Sequence, residues 1–223
     1  MARLAADSRR DLLSLSAPRA YPADAVLIRQ GEPDTHVYVL RSVRRHMSTC
    51  VKVTGLLENG HEGLLAIRVS GDLVGELAFL RDVRRSATVT TCAPALVHPI
   101  SREAFLSFLQ SHPDAWRAIS GMLADKLEWA NQRRLDFGGY DVPVRLARAL
   151  VALVDRHGCP TSDGYDLGVE LSHAELGRLI GAGKDAASKA ISILRRRGLV
   201  RTSYRRVTVT HLDALRAYGG SAV

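Results

Sequence analysis

The chain has 223 residues, 46% of them hydrophobic and 24% charged, a globular composition with room for one large domain or two ordinary ones. It excludes a disordered, collagen-like or fibrous protein. Lys and Arg outnumber Asp and Glu by 31 to 23, a net charge of +8, which favours a polyanionic partner.

Apolar runs such as 149–154 fall far short of the roughly 20 residues of a membrane span. The first ten residues are charged and lack an apolar centre, so a soluble, cytoplasmic protein with no membrane partner is expected. Short strands are predicted at 26–28, 37–40, 49–53, 64–69, 87–91 and 95–100, separated by turn residues such as Gly31-Glu32-Pro33-Asp34 and Ser70-Gly71-Asp72. Strands at this spacing predict a sandwich or barrel. Asn59-Gly60, between Leu57 and Leu64, is a hairpin signal.

Beyond Ser101 the period becomes helical. Ser101 and Ser111 are both N-cap candidates, the second with Pro113 close behind it. Apolar residues then recur at Trp116, Ile119, Leu123, Leu127 and Ala130 as far as Phe137, predicting a helix of about 25 residues that ends at Gly138-Gly139. That stripe is longer than one small β domain covers, so a coiled-coil seam between two copies is expected in preference to packing on the same domain alone.

Gly138-Gly139 reads as a hinge, 142–156 as a helix and 157–168 as a turn-rich link. Ser172-His173-Ala174-Glu175 is a capping box that opens a short helix to Ile180. Gly181-Ala182-Gly183 breaks it, and 184–197 resumes with Ala187, Ala190, Ile191 and Leu194 facing inward. Two helices about a glycine turn form a helix-turn-helix pattern, and 199–202 with 206–210, around Tyr204-Arg205, read as a β-hairpin wing. Between Arg178 and Arg206 there are nine Lys or Arg against one acid, Asp185; the plain alternative to a nucleic-acid surface is a solvated basic face. Gly181 to Lys184 only faintly echoes a phosphate loop, because Asp185 stands where Ser or Thr is needed and no buried strand precedes it.

Cys50, Cys92 and Cys159 show no CxxC or paired spacing, so no disulfide framework, zinc site or iron–sulfur cluster is predicted. His36, His46 and His61 read as loop histidines. No prosthetic group is expected, and with no nucleophile and base at recognisable spacing the chain does not read as an enzyme.

In the order β-roll, long helix, winged helix-turn-helix, the chain resembles the cyclic AMP receptor protein and FNR (CRP/FNR) superfamily of bacterial transcription regulators over nearly its whole length. The most specific segment is Gly75-Glu76-Leu77-Ala78 followed by Arg85-Ser86-Ala87, which looks like the family's phosphate-binding cassette. The resemblance implies an α+β chain: a cyclic-nucleotide-binding, jelly-roll-like β-roll at 1–110, a dimerisation helix at 111–137 and a winged helix-turn-helix DNA-binding domain at 138–223. It implies a homodimeric regulator under allosteric control, with cyclic AMP as effector and cyclic GMP or a cyclic dinucleotide as alternatives. Its partners would be a pseudo-palindromic DNA operator, a second copy of itself and RNA polymerase. The alternative is a regulator of the same fold that binds DNA without cyclic AMP.

A cyclic nucleotide presents one anionic phosphate and a ribose hydroxyl, which call for backbone amides, a guanidinium and a carboxylate. By resemblance, Arg85 and Ser86 bind the phosphate with the amides near Leu77 and Ala78, Glu76 accepts from the ribose 2′-hydroxyl, and Gly75 lets the backbone approach. Otherwise Glu76 and Arg85 form a structural ion pair with each other. Where cyclic AMP responders carry a Thr-Ser pair against the adenine, this chain has Ala130-Asn131, leaving Asn131 as the candidate base contact. The segment 41–50 departs from the family, with Ser42 in place of the usual glycine and an unexplained Arg44-Arg45-His46. In the recognition helix, Lys184, Asp185 and Lys189 match the family's Arg, Glu and Arg, and Ser188 is a further contact. Ser172 and His173 at the start of the preceding helix, with Arg196 and Arg205 toward the phosphates, complete the expected DNA-binding set.

Overall fold

The computed structural model describes residues 3–42, 49–56, 60 and 62–220; the Asn59 hairpin signal, Arg44-Arg45-His46 and His61 lie outside them. The chain divides into two compact units, Met1–Trp129 and Ala130–Val223.

The first unit carries α1 (Ala6–Ser14), β1 (Arg19–Tyr21), β2 (Val26–Ile28), β3 (His36–Arg41), β4 (Cys50–Leu56), β5 (Glu62–Val69), β6 (Leu73–Val74), α2 (Glu76–Arg81), β7 (Thr88–Thr91), β8 (Ala95–Ser101), α3 (Arg102–Ser111) and the beginning of α4 (Pro113–Gly139). Its strands form two antiparallel four-stranded sheets, ordered β1-β8-β3-β6 and β2-β7-β4-β5. Alternation along the strands supplies the core. Leu27, Ile28, Leu40, Val51, Val74, Val89 and Val97 form one buried cluster. Val37, Val39, Leu73, Phe79 and Ile100 form another with Phe105, Phe108 and Leu109 of α3 and Ala115 and Ile119 of α4.

The six strands expected in this region are present; the one at 26–28 matches at both ends, and the other five differ by one to three residues at one end or both. His36 begins β3 and so is a strand residue where a loop was expected. Ser101 caps α3, its hydroxyl accepting from the Ala104 amide at 3.2 Å. Ser111 is no N-cap: it is the last residue of α3, and its hydroxyl donates back to the Ser107 carbonyl at 3.0 Å.

The stripe on α4 divides in two. Ala115, Ala118 and Ile119 are buried and Met122 packs on the same core, the i, i+3, i+4, i+7 face of a helix lying on its own domain. Trp116 and Leu127 are exposed, Leu127 by 62%, and with Leu123 they follow the 7- and 4-residue steps of a different face. Ile119 therefore belongs to the domain core and leaves the expected seam. α4 ends at Gly139, so the glycine pair forms its last two residues and ends the helix as the sequence predicts.

The second unit continues with α5 (Val142–His157), β9 (Cys159–Thr161), β10 (Gly164–Asp166), α6 (His173–Leu179), α7 (Lys184–Arg196), β11 (Val200–Ser203), β12 (Arg206–Val209) and α8 (Leu212–Tyr218). Asp141 caps α5 by accepting from the Val144 amide at 3.1 Å. The expected wing is β11–β12, in a sheet ordered β11-β12-β10-β9, so the link read as turn-rich contributes a hairpin. At the end of α4, Arg133 donates to the Leu179 carbonyl, and the Phe137 ring lies where a Cβ on Gly181 would meet it at 3.1 Å. The last turns of the long helix thus touch the turn between α6 and α7.

Candidate functional site

In the first unit the chain leaves β6 at Val74 and turns into α2 through Gly75, whose φ of 90° is left-handed. A Cβ there would lie 2.7 Å from Arg85 Nη1 and 3.1 Å from the His36 carbonyl oxygen, so glycine is needed for both conformation and space. Arg85 is buried. Its guanidinium donates to the Gly75 carbonyl at 2.9 Å and to the His36 carbonyl, and Nη1 lies 2.8 Å from Oδ1 of buried Asp34. Asp34 also holds Arg102 at 2.8 Å through Oδ2.

Glu76 is equally buried. Its Oε1 accepts from Lys126 Nζ of α4 at 2.7 Å, and Lys126 also donates to the Leu73 carbonyl at 3.0 Å. Burial holds the Lys126 ammonium below its usual range and the nearby Arg68 guanidinium acts in the same sense, while Glu76 opposes both. Glu76 and Arg85 therefore do not pair with each other; each has its own counter-ion. Removing one partner of such a buried pair costs about 3–5 kcal/mol.

Glu76, Arg85 and Lys126 line one open cavity. Arg68, Glu76, Arg85, Ser86 and Lys126 supply its polar wall, and Ile28, Val53, Val74 and Val89 its apolar one. The Gly75–Ala78 run borders it throughout, with Leu77 exposed and Ala78 buried. Asn131 is exposed on the stretch of α4 that belongs to the second unit, whereas the lining comes wholly from the first. Sequence reasoning missed Asp34, Arg68 and Lys126. Only Arg68 left a local signal, a lone charge inside the apolar run Leu64 to Val69.

In the second unit, Ser172 and Glu175 form the capping box of α6: the Ser172 hydroxyl accepts from the Glu175 amide at 3.2 Å and the Glu175 carboxylate accepts from the Ser172 amide at 2.7 Å. The Ser172 side chain is thus committed to the helix end. α6 and α7 cross closely at Gly177, where a Cβ would sit 2.7 Å from the Ala182 carbonyl oxygen. Ala187, Ala190, Ile191 and Leu194 bury the inner face of α7 as the pattern predicts. On the opposite face Asp185, Lys189, Ser192 and Arg196 recur at i, i+4, i+7 and i+11, one straight outward stripe. Ser192, which the sequence reading passed over, is found by counting from the buried residues.

Lys184 is exposed at the helix start. Ser188 meets His173, its hydroxyl 3.1 Å from Nδ1. Arg205 has a φ of 56° and lies 3.3 Å from the Glu175 carboxylate, so its side chain is drawn toward the capping box. Tyr204 beside it is 88% exposed.

Residues 18–112 match the family of cyclic nucleotide-binding domains, and residues 144–218 that of Crp-like helix-turn-helix domains. The chain is 26% identical over 198 residues to the CRP-like cAMP-activated global transcriptional regulator of Mycobacterium tuberculosis, covering 89% of this chain and 86% of that protein. Among solved structures, a CRP-family transcriptional regulator of Thermus thermophilus is similar with a TM-score of 0.70 and 25% identity, over 92% of this chain and 97% of that one. The c-di-GMP responsive global regulator CLP of Xanthomonas campestris shares the fold, with a TM-score of 0.73 and 24% identity over 93% of this chain and 100% of that one. Among the described residues no helix is long and apolar enough to cross a membrane.

Proposed function

Because the chain belongs to the CRP/FNR superfamily of transcription regulators, we propose that it is a homodimeric, sequence-specific DNA-binding regulator whose operator affinity is set by a cyclic nucleotide. The effector is cyclic AMP, held in the cavity of the first unit. The observation that carries this reading is the convergence of buried Arg85, buried Glu76 and Lys126 with Ser86 on one partly apolar cavity bordered by Gly75. Arg85 and Ser86 take the cyclic phosphate, with the amides of Leu77 and Ala78. Glu76 accepts from the ribose hydroxyl while keeping Lys126, which carries the change into α4.

DNA is read by the outward stripe of α7. Lys184, Asp185, Ser188 and Lys189 face base edges with His173 beside them, and Arg196 and Arg205 approach phosphates. Two copies pair through Trp116, Leu123 and Leu127, so that two recognition helices enter major grooves about 34 Å apart. RNA polymerase is the further partner, and the cytoplasm is where these partners meet.

One observation favours a second reading, a regulator that needs no ligand: Asp34 and Lys126 already satisfy Arg85 and Glu76. Calorimetric titration separates the two. Arg85→Lys keeps a charge for Asp34 and loses the guanidinium fork; it should weaken cyclic AMP binding about 10- to 150-fold, or about 1.5–3 kcal/mol. Unchanged affinity in Arg85→Lys removes Arg85 from the phosphate site. Wild-type protein that holds its operator tightly yet binds no cyclic AMP at millimolar concentration establishes the ligand-independent reading.

A further inference from the structure

We propose that Cys50 and Cys92 form a redox-modifiable dithiol, closed to a disulfide by a hydroperoxide and reopened by a thiol reductant. The two are 42 residues apart in the chain, which is why no local spacing betrays them. β4 pairs with β7 antiparallel with Val51 opposite Thr91, which sets Cys50 opposite Cys92. The Cys92 amide donates to the Cys50 carbonyl at 2.9 Å, and the two Sγ atoms lie 3.2 Å apart.

Both cysteines are thiols and both are buried. Directly opposed cross-strand residues have Cα atoms about 4.5–5.5 Å apart, within the roughly 4.4–6.8 Å that a disulfide spans. Closing the sulfurs to a bond of about 2.05 Å takes side-chain rotation and no slip of register.

The neighbours hold the pair together. Thr49, before Cys50, has no exposed surface; its amide donates to the Ser70 hydroxyl at 2.8 Å and its own hydroxyl accepts from the Leu96 amide at 3.0 Å. Thr91, before Cys92, is equally buried and donates to the Pro22 carbonyl at 2.7 Å. Strands pinned this way give each sulfur a high effective concentration at the other.

In the first step one thiolate attacks an oxygen of the hydroperoxide, breaking the O–O bond. A sulfenic acid forms, and the other oxygen leaves as an alcohol, or as water from hydrogen peroxide. The second thiolate then attacks the sulfenic sulfur, forming the S–S bond and expelling hydroxide, which takes a proton to become water. In sum, two thiols and one hydroperoxide become one disulfide, one alcohol and one water; the sulfurs lose two electrons and the peroxide gains them. A reductant restores the thiols by exchange through a mixed disulfide.

The same strands carry Val53 and Val89 into the cavity wall, so the cross-link stiffens one side of that cavity. Closure itself needs no ligand, so it is tested independently of the proposed effector.

The full chain carrying Cys159→Ser is treated with hydrogen peroxide and mapped as peptides without reduction. The expected product is an intramolecular Cys50–Cys92 disulfide, reversed by dithiothreitol, with slower amide exchange over β4 and β7 and a Tm raised by roughly 5–15 °C. Adding Cys92→Ala should abolish both the cross-link and the rise; if that variant fails to fold, the map of the Cys159→Ser chain decides alone. Thiols at 50 and 92 that remain open to alkylation after peroxide treatment and unfolding would overturn the proposal. Separate oxidation of each to sulfinic acid would do the same.

Discussion

Lys189 and Arg196 stand two turns apart on the outward stripe of α7, close enough to share a DNA duplex and far enough apart to do different work on it. Lys189 lies near the middle of the helix, where a side chain reaches base edges, so Lys189→Ala should cost about 1–3 kcal/mol on the best site and flatten preference at one base pair. Arg196, at the helix end, is the proposed phosphate contact; Arg196→Ala should weaken all sequences alike and lower the salt-dependence slope by about one unit. Selection from a randomised DNA library at two salt concentrations reads both, and a Lys189→Ala chain with an unchanged sequence preference would contradict the placement of α7. At this scale the candidate ligand site was only half legible. Gly75, Glu76 and Arg85 stand close together in the chain, whereas Lys126 lies 50 residues from Glu76 and Asp34 reaches Arg85 only through the return of the chain to β3. Periodicity and local motifs carry no information about such partners.

α6 and α7 depend on a crossing that one atom would obstruct. The Cβ of Gly177→Ala would meet the backbone carbonyl of Ala182 at 2.7 Å and that of Gly183 at 3.2 Å, and backbone yields less readily than a flexible side chain. Overpacking of this kind costs about 1–3 kcal/mol, so the denaturation midpoint should fall and operator binding should weaken with it. An unchanged midpoint would show that the crossing is looser than this geometry requires. The helix-turn-helix was readable because its signals are local: a capping box, a glycine break and a 3.6-residue apolar period. β1, β9 and β10 were not, since Arg19–Tyr21, Cys159–Thr161 and Gly164–Asp166 lack the apolar run that marks the equally short β2, and β6 has only two residues. α1 and α8 bury little of their own, two residues and one, so neither shows an apolar stripe. The seam on α4 was over-read for the opposite reason: one apolar run serves two faces, and only packing separates Ile119 from Leu127.

For the whole molecule, the exposed Leu127 offers a clean test of association. Leu123 also packs on the core of its own domain, so a charge there would disturb the fold, while Leu127→Glu places it on a face that the first unit leaves open. Leu127→Glu should therefore be a folded monomer in sedimentation at micromolar concentration with greatly weakened operator binding, because a single half-site binds poorly. A wild-type monomer with full operator affinity would contradict the dimer. The central claim, that ligand and DNA favour one common state, is tested most directly by their linkage. Operator affinity is measured with and without saturating cyclic AMP, and cyclic AMP affinity with and without operator, on the same protein at the same salt. Thermodynamic reciprocity requires both ratios to be equal, and allosteric coupling of about 1–3 kcal/mol makes each roughly 5- to 150-fold. Two equal ratios well above one are the result predicted here; an operator affinity that cyclic AMP leaves unchanged, in protein that demonstrably binds it, would contradict the account.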